Sequence, residues 1–273
     1  MNLPLPMLSD QGLVSVREEA AFDSYSQPKE VPVVAERSLT VVVDGFELVT
    51  LMTLGACPEV LVLGYLRNQT LFDYPSEIKS INVDWSQNLA TVETSSGLGL
   101  KNMDLERRTV TSGCGQGTIL SCTLDKLYDH RVAIRPILQS DIYRVIKAMT
   151  PYNKAYRAAG SVHGCGFYQD GEVKCFIEDV GRHNALDAIA GRMWLDNLNG
   201  ASGFIYTTGR LTSEIVMKAA LMDIGVLISR NGTTHMGLSL AEELGVMLIA
   251  RAKSRQFSAF NADHLVFDAR PDE

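Results

Sequence analysis

The sequence predicts an α/β fold, in which a mixed sheet is covered by helices on both faces, together with a smaller β-rich lobe. After residue 137, short apolar runs alternate with segments of helical periodicity, a pattern typical of parallel strands joined by crossover helices. Before that point, short strand-like runs are separated by turn residues and helical patterns are few. We therefore expect a poorly ordered lead-in over 1–35, a β-rich lobe over 36–137 and the α/β domain over 138–273.

The β-rich lobe opens on a hairpin signal. Residues 38–43 and 46–52 are rich in apolar and β-branched side chains, and they flank Asp44-Gly45, a pair that favours a two-residue turn. The other elements predicted for this lobe are, in order, a short helix over 58–66, strands over 78–83 and 89–94, and a helix over 121–129.

The second half follows a regular order of elements. Ser140-Asp141 can begin a helix whose apolar residues recur at helical spacing, with Pro151 interrupting it, and Asp170-Gly171 then signals a hairpin. The elements predicted after that hairpin are a helix over 182–198, a strand over 203–207, a helix over 213–223, a strand over 226–229, a helix over 238–244 and a strand over 246–250. This order, ββαβαβαβ after a leading helix, predicts a cytidine-deaminase-like three-layer domain. A doubly wound nucleotide-binding sheet is the alternative.

Composition excludes several classes of protein. The 273 residues carry 32 acidic and 25 basic side chains, a net charge of −7, which argues against general nucleic-acid binding but leaves room for a local basic pocket. No run approaches the roughly 20 apolar residues of a membrane span, and the N-terminus lacks the basic start of a signal peptide. The five cysteines are irregularly spaced with no C-x-x-C pair, so we expect a cytoplasmic protein with no membrane partner.

Two of the cysteines flank the second hairpin signal. With a two-residue turn at Asp170-Gly171, Cys175 would lie opposite Gly166, and Cys165 opposite Phe176. The two thiols would then point to opposite faces of the ribbon, and no disulfide is expected between them.

The most distinctive short segment surrounds Cys114. This cysteine has a glycine on each side, in a stretch with no apolar face to bury. Glycine permits backbone conformations with positive φ and a close approach by another molecule, and Arg107 and Arg108 could favour the thiolate. We interpret Cys114 as a reactive thiol on an exposed loop. An ordinary Gly-rich turn that contains a cysteine is the alternative.

Three strand-to-helix junctions of the predicted sheet are polar: 178–184, 207–214 and 229–235. Each contains an arginine and a glycine beside hydroxyl or amide side chains. Ligands of such sheets bind at the carboxyl ends of strands, so these junctions predict a site for phosphates and a planar heterocycle. A basic stripe after the last strand consists of Arg251, Lys253 and Arg255. Taken singly, each junction is also compatible with a helix cap or turn, and the stripe with a solvated strand end.

A zinc site is not predicted. Zinc deaminases use H-x-E with a later P-C-x-x-C, because metal activation of water needs three ligands and a glutamate. Here His163-Gly164-Cys165 has no glutamate two residues after the histidine, and the chain has no C-x-x-C. His163 and Cys165 could still bind a metal, but we interpret His163 as a structural histidine, and deamination is disfavoured.

Taken together, these segments resemble the formate dehydrogenase accessory sulfurtransferase family, FdhD, from about residue 36 to the C-terminus. The most specific matches are EDVGRHNALD at 178–187, TGRLTSE at 208–214 and LAEELG at 240–245. Weaker matches lie at 59–66 and 248–257.

The resemblance implies a sulfurtransferase that acts as a sulfur carrier required for formate dehydrogenase activity. Such a protein accepts persulfide sulfur from a cysteine desulfurase and transfers it to the bis-molybdopterin guanine dinucleotide molybdenum cofactor, before the cofactor enters formate dehydrogenase. By motif, Cys114 takes the place of the persulfide cysteine. The resemblance also implies a homodimer, a bound guanine nucleotide portion of the cofactor, and no permanent metal.

The junctions and the resemblance together indicate which residues bind the cofactor. They are Arg182, His183, Asn184, Thr208, Gly209, Arg210, Ser229, Arg230, Arg251, Ala252, Lys253, Ser254, Arg255 and Gln256.

The sequence also departs from the family pattern. Many relatives carry a second cysteine three residues after the first, where this chain has Gly117. Cys122 could substitute, although its apolar neighbours favour a buried role. Ser254 and Gln256 stand where relatives tend to have Gly and Arg. A cofactor-binding chaperone without the sulfur-transfer step is therefore a second hypothesis, and a plain nucleotide-binding or deaminating enzyme is a third.

Overall fold

The computed structural model describes residues 4–97, 108–111, 117–120, 127 and 131–268. Cys114 and Cys122 lie outside the described residues, as does nearly all of the helix predicted over 121–129.

The described residues form seventeen strands and six α-helices. The strands are β1 (Met7–Leu8), β2 (Val16–Phe22), β3 (Pro28–Val34), β4 (Arg37–Val43), β5 (Phe46–Thr53), β6 (Ile78–Asp84), β7 (Leu89–Thr94), β8 (Arg108–Thr111), β9 (Gly117–Leu120), β10 (Ile137–Leu138), β11 (His163–Gln169), β12 (Glu172–Asp179), β13 (Phe204–Thr207), β14 (Val226–Ser229), β15 (Met247–Lys253), β16 (Gln256–Phe260) and β17 (Leu265–Val266). The helices are α1 (Pro58–Asn68), α2 (Gln139–Met149), α3 (Lys154–Ala159), α4 (Arg182–Leu195), α5 (Ser213–Leu221) and α6 (His235–Leu244). None of these helices is long and apolar enough to cross a membrane.

The larger sheet has the order β12-β11-β13-β14-β15-β16. Its central strands β13, β14 and β15 are parallel, whereas β11, β12 and β16 pair antiparallel with their neighbours. Alternate side chains of each strand face opposite layers, so Ile205 and Leu227 pack toward α4, α5 and α6, while Tyr206 and Ile228 pack toward α2. The predicted mixed sheet with helices on both faces is confirmed.

The smaller sheet has the order β1-β6-β7-β4-β5 and packs against α1. The predicted hairpin of β4 and β5 is confirmed, and its turn residues Asp44 and Gly45 have φ of 45° and 83°. This left-handed region is one that glycine and aspartate tolerate, which is why the pair specifies a two-residue turn.

Helices α1 and α4 join the two sheets through a glycine contact. A Cβ atom on Gly64 would overlap the Asp187 carbonyl oxygen and lie 2.6 Å from the Gly191 nitrogen. A Cβ atom on Gly191 would likewise overlap the Val60 carbonyl oxygen. The guanidinium of Arg67 adds a hydrogen bond of 2.8 Å to the Ala190 carbonyl oxygen. The small lobe is therefore fixed to α4, the helix that begins at the candidate site.

The prediction of a poorly ordered lead-in over 1–35 is corrected for residues 4–35, which the structure describes. Strand β1 pairs in parallel with β6, and β2 forms a hairpin with β3. The Glu59 carboxylate accepts hydrogen bonds from the Ser9 hydroxyl and the Gln11 backbone nitrogen, at 2.6 and 2.8 Å. Backbone pairing, with most side chains of the β2–β3 hairpin exposed, orders this segment, so its polar composition misled the prediction. The boundaries proposed at 35 and 137 stay predictions.

The hairpin of β11 and β12 is confirmed, but its register differs from the prediction. Lys174 is an extra residue in β12, so Phe167 pairs with Cys175, and Cys165 with Ile177. Cys165 and Cys175 therefore face the same core layer, contrary to the prediction of opposite faces. Both are free thiols, as expected, and burial raises the pKa of each, to about 12 for Cys175.

Candidate functional site

The three polar junctions meet at one edge of the larger sheet. The parallel strands β13, β14 and β15 all end there, and backbone hydrogen bonds link their following loops: Arg230 to the Thr207 carbonyl at 3.2 Å, and Arg251 to the Asn231 carbonyl at 2.8 Å. Because β11 is antiparallel to both β12 and β13, it begins at the same edge with His163, opposite Asp179, so β12 and the first junction also end there. The predicted convergence of the junctions is confirmed.

Hydroxyl and amide groups hold these loops in place. The Ser229 hydroxyl donates to the Gly209 carbonyl oxygen at 2.5 Å, and the Asn231 amide donates to the Thr208 carbonyl oxygen at 2.8 Å. The Thr208 hydroxyl accepts from the Gly164 backbone nitrogen at 3.0 Å. Ser229 is fully buried. Thr208 and Ser229, both predicted to bind cofactor, therefore use their hydroxyl groups to fix loop geometry.

Arginines give the edge its charge. Arg210, Arg230 and Arg251 are exposed, whereas Arg182 is buried and packs on Gly209. A Cβ atom on Gly209 would lie 2.8 Å from the Cβ of Arg182, so glycine is needed for this contact. Guanidinium groups gathered at strand ends suit phosphate oxygens, which accept hydrogen bonds from two N–H groups at once.

His163 lies among these arginines. It is half-buried, and burial, followed by the charges of Arg182 and Arg210, lowers its pKa. The sequence around His163 contains no metal motif and favours a structural role for this histidine. Within the described ranges, no cluster of three or more His, Cys, Asp or Glu side chains is arranged to hold a metal ion. The structure places a neutral imidazole beside an arginine-lined edge, which only the register of β11 could have revealed.

The basic segment after β15 forms a bulge and a tight turn. Arg251 and Ser254 both have φ of 53°, and Lys253 pairs with Gln256 across the turn. Arg251, Lys253, Ser254, Arg255 and Gln256 are exposed. Ala252, which was also predicted to bind cofactor, is fully buried in the core beneath α2.

Polar side chains near the start of the 178–187 motif form hydrogen bonds to other secondary-structure elements. Glu178 accepts hydrogen bonds from the backbone nitrogens of Ala155 and Tyr156, at the beginning of α3. The Asn184 amide donates to the Met52 carbonyl oxygen at 2.6 Å and to Asp179 at 2.9 Å. Asn184 is predicted to bind cofactor. In the structure, its side-chain amide hydrogen-bonds to the small lobe and so links α4 to that lobe.

A buried group of ionisable residues lies beneath the site. Asp187 and Lys218 form an ion pair of 2.8 Å, Lys218 lies 3.3 Å from Glu214, and Glu214 lies 3.3 Å from His183 Nε2. Burial, followed by the charge of Lys218, lowers the pKa of His183 to about 3, so its imidazole is neutral. The sequence pattern predicted a site role for His183 but none for Glu214 or Lys218. The signal was a lysine within the apolar run of α5.

Strands β8 and β9 bracket the cysteine segment. Thr111 pairs with Gly117, and the five residues that join the strands, 112–116, have Cys114 at their centre. Cys114 itself lies outside the described residues. Cys57, in contrast, is an exposed free thiol at the beginning of α1, and partial burial together with Glu59 raises its pKa.

Comparisons with known proteins agree in one family. A family model described as the FdhD/NarQ family matches residues 34–266. The chain is 30% identical over 236 residues to sulfur carrier protein FdhD of Bacillus licheniformis, covering 85% of this chain and 89% of that protein. It is 28% identical over 228 residues to the protein of the same name from Bacillus subtilis, covering 83% and 87%.

A solved structure shares the fold. A crystal structure of a Desulfotalea psychrophila protein, assigned as a formate dehydrogenase accessory protein, superposes with a TM-score of 0.74 at 24% sequence identity. The superposition covers 92% of this chain and 98% of that one.

Proposed function

This chain belongs to the FdhD/NarQ family, and we propose that it is a sulfur carrier required for formate dehydrogenase activity. In this proposal Cys114 accepts persulfide sulfur from a cysteine desulfurase. It then transfers the sulfur to the bis-molybdopterin guanine dinucleotide molybdenum cofactor, before the cofactor enters formate dehydrogenase. The relatives named sulfur carrier protein FdhD, which match over more than four-fifths of the chain, support the carrier role.

One observation carries the cofactor half of the proposal: the arginine-lined edge of the larger sheet. Exposed Arg210, Arg230 and Arg251 offer guanidinium groups that fit the pyrophosphate oxygens of the cofactor. Neutral His163 and buried Arg182 add hydrogen-bonding groups at the same edge. The cofactor is cargo in this proposal, and no permanent metal is part of it.

The sulfur half depends on the chemistry of the Cys114 thiolate. The thiolate attacks the terminal sulfur of the donor persulfide, a new S–S bond forms on Cys114, and the donor cysteine leaves as a thiolate. Glycines on both sides of Cys114 leave the sulfur accessible to donor and acceptor. In this proposal the protein is a sulfurtransferase, and Cys114 is the residue that carries the persulfide.

Three further expectations belong to the proposal. The strand order β12-β11-β13-β14-β15, with one parallel block, supports a cytidine-deaminase-like domain. The free thiols Cys57, Cys165 and Cys175 support a reducing, cytoplasmic setting. A homodimer is proposed from the family resemblance.

A second candidate function is a cofactor-binding chaperone without a covalent step. Its supporting observation is Gly117, which stands where many relatives have a second cysteine and pairs with Thr111 in the β8–β9 ladder. In this hypothesis the arginine-lined edge alone accounts for maturation.

Maturation of formate dehydrogenase separates the two candidates. In cells lacking their own carrier, we expect the Cys114→Ala variant to give no formate dehydrogenase activity above background, because the sulfur acceptor is gone. The matched control is Cys57→Ala, which removes an exposed thiol and should mature the enzyme as well as the unsubstituted chain. Full maturation by Cys114→Ala would favour the chaperone.

Nucleotide binding tests the cofactor half directly. Guanosine diphosphate serves as a probe for the guanine dinucleotide, and we expect Arg210→Ala to weaken its binding by about tenfold, because a charge-assisted hydrogen bond to phosphate is lost. The control is Arg17→Ala on the exposed face of β2. If calorimetry shows that the two variants bind guanosine diphosphate with equal affinity, Arg210 is not part of the binding site.

A further inference from the structure

Arg230 has a hydrogen-bond partner within the larger sheet. Its backbone nitrogen donates to the Thr207 carbonyl oxygen at 3.2 Å, so the ladder between β13 and β14 continues one residue past the end of β14. Alternation along β14 then places the Arg230 side chain on the same face as Ile228, the face that packs on α2. Tyr206 pairs with Ile228 and lies on that face too, and its hydroxyl is hydrogen-bonded to the Arg230 side chain. A buried phenol therefore holds an exposed guanidinium.

The hydrogen bond between these two side chains has one possible direction. A guanidinium carries donors and no acceptor, so an Arg230 N–H group donates and the Tyr206 oxygen accepts. Burial raises the pKa of Tyr206, and the opposing effect of the Arg230 charge is smaller, so the phenol is neutral. The bond therefore fixes the direction of the guanidinium and leaves its positive charge uncompensated. Packing does not require the hydroxyl group, since phenylalanine would fill the same place in the core without burying a polar atom.

Two other exposed arginines are held by carboxylates. Arg144 pairs with Asp141 at 2.8 Å, and Arg192 pairs with Asp196 at 2.7 Å. In the part of the chain that the structure describes, Arg230 forms no such ion pair. An arginine that is oriented but not neutralised is suited to bind an anion.

Arg230 is set apart from the other polar groups of the site. His163 alternates along β11 with Cys165, which packs toward α4, α5 and α6, and the charges of Arg182 and Arg210 act on this histidine. His163 and Arg230 therefore lie on opposite faces of the sheet at the same edge. We expect them to contact different parts of a bound ligand.

We propose that Tyr206 is a positioning residue, which holds the Arg230 guanidinium charged and oriented for a phosphate group of the ligand. Tyr206 is 1% exposed, so it acts through Arg230. The hydrogen bond restricts the rotamers of a long side chain before the ligand binds, and less conformational entropy is then lost on binding. The inference rests on the proposed function, which supplies the pyrophosphate of the guanine dinucleotide.

Calorimetric titration of the full chain with inorganic pyrophosphate tests the positioning. We expect Tyr206→Phe, which removes the hydroxyl group and keeps the ring, to weaken binding by about three- to tenfold, because Arg230 becomes free to rotate. The matched control is Tyr168→Phe, which removes a hydroxyl group from the same core layer and should not change the affinity. Unchanged affinity in Tyr206→Phe, equal weakening in both variants, or no binding by the unsubstituted chain would overturn the proposal.

Double variants separate positioning from general structural damage. In an Arg230→Ala background, Tyr206→Phe should have no further effect on pyrophosphate affinity, because the group that it positions is gone. In an Arg210→Ala background, Tyr206→Phe should weaken binding by the same factor as in the unsubstituted chain. Equal weakening in both backgrounds would show that the hydroxyl group acts on the fold as a whole and would contradict the proposal. An Arg230→Ala variant that binds pyrophosphate normally would contradict it as well.

Sulfur acceptance distinguishes this inference from the proposed function. Tyr206→Phe should still gain sulfur on Cys114, because the Arg230 guanidinium acts on the phosphate group and not on the thiol. If the unsubstituted chain gains no sulfur yet binds pyrophosphate in a Tyr206-dependent way, the carrier function is wrong and the positioning role stands. If it gains sulfur but Tyr206→Phe binds pyrophosphate normally, the positioning role is wrong and the carrier function stands.

Discussion

Replacing Gly64 with alanine is expected to lower the free energy of unfolding by at least about 3 kcal/mol, since backbone must move to admit the methyl group. The new Cβ atom would overlap the Asp187 carbonyl oxygen and lie 2.6 Å from the Gly191 nitrogen. Helix propensity alone predicts that the substitution would raise the free energy of unfolding, because alanine in a helix is about 1 kcal/mol more favourable than glycine. Urea unfolding, followed by circular dichroism, measures the difference.

The control for this prediction is Gly232→Ala. A Cβ atom there meets nothing within 4 Å, so stability should change little. If Gly64→Ala were as stable as the control, α1 and α4 would not be in backbone contact. The attachment of the small lobe to α4 would then need another explanation.

Replacing Asp179 with asparagine is expected to cost about 2–4 kcal/mol, although the two side chains have the same shape. One carboxylate oxygen accepts from the Thr53 hydroxyl and the Leu54 nitrogen, and the other accepts from Gly181 and Asn184. The asparagine side chain has one oxygen and one NH2 group. In either orientation, the NH2 group would face two hydrogen-bond donors where the native carboxylate has an acceptor. The measurement is the free energy of unfolding in urea.

The same substitution at Asp170 provides the matched control. Asp170 is exposed at a turn with φ of 53°, a conformation that asparagine tolerates well. Asp170→Asn should therefore be neutral. If Asp179→Asn is also neutral, Asp179 does not join the small lobe to the beginning of α4, and the site does not depend on that junction.

Periodicity predicted the elements of this fold but not their partners. Apolar spacing located α2, α4 and α5 to within a few residues, because burial of one face leaves its period in the sequence. The extra residue Lys174 in β12 left no such trace, so the Cys165 and Cys175 faces were misassigned. The β2–β3 hairpin was missed because backbone pairing, rather than apolar burial, holds it.

For the candidate site too, the sequence predicted the position of the elements but not the contacts between their side chains. The order of elements predicted that the junctions around Arg182, Arg210 and Arg230 would meet, since parallel strands end at one edge. Which polar groups face a ligand depends on contacts between distant segments. The Asn184 amide donates a hydrogen bond to the Met52 carbonyl oxygen, and the Glu214 carboxylate of α5 lies 3.3 Å from His183 of α4. Neither relation is visible in local spacing.

The carrier function is tested most directly by intact-protein mass spectrometry after incubation with a cysteine desulfurase and cysteine. The unsubstituted chain and Cys57→Ala should each gain one sulfur that a reductant removes, and Cys114→Ala should gain none. A gain that persists in Cys114→Ala would contradict the assignment of Cys114. No gain in any of the three proteins, with nucleotide binding intact, would contradict sulfur transfer itself and favour the chaperone.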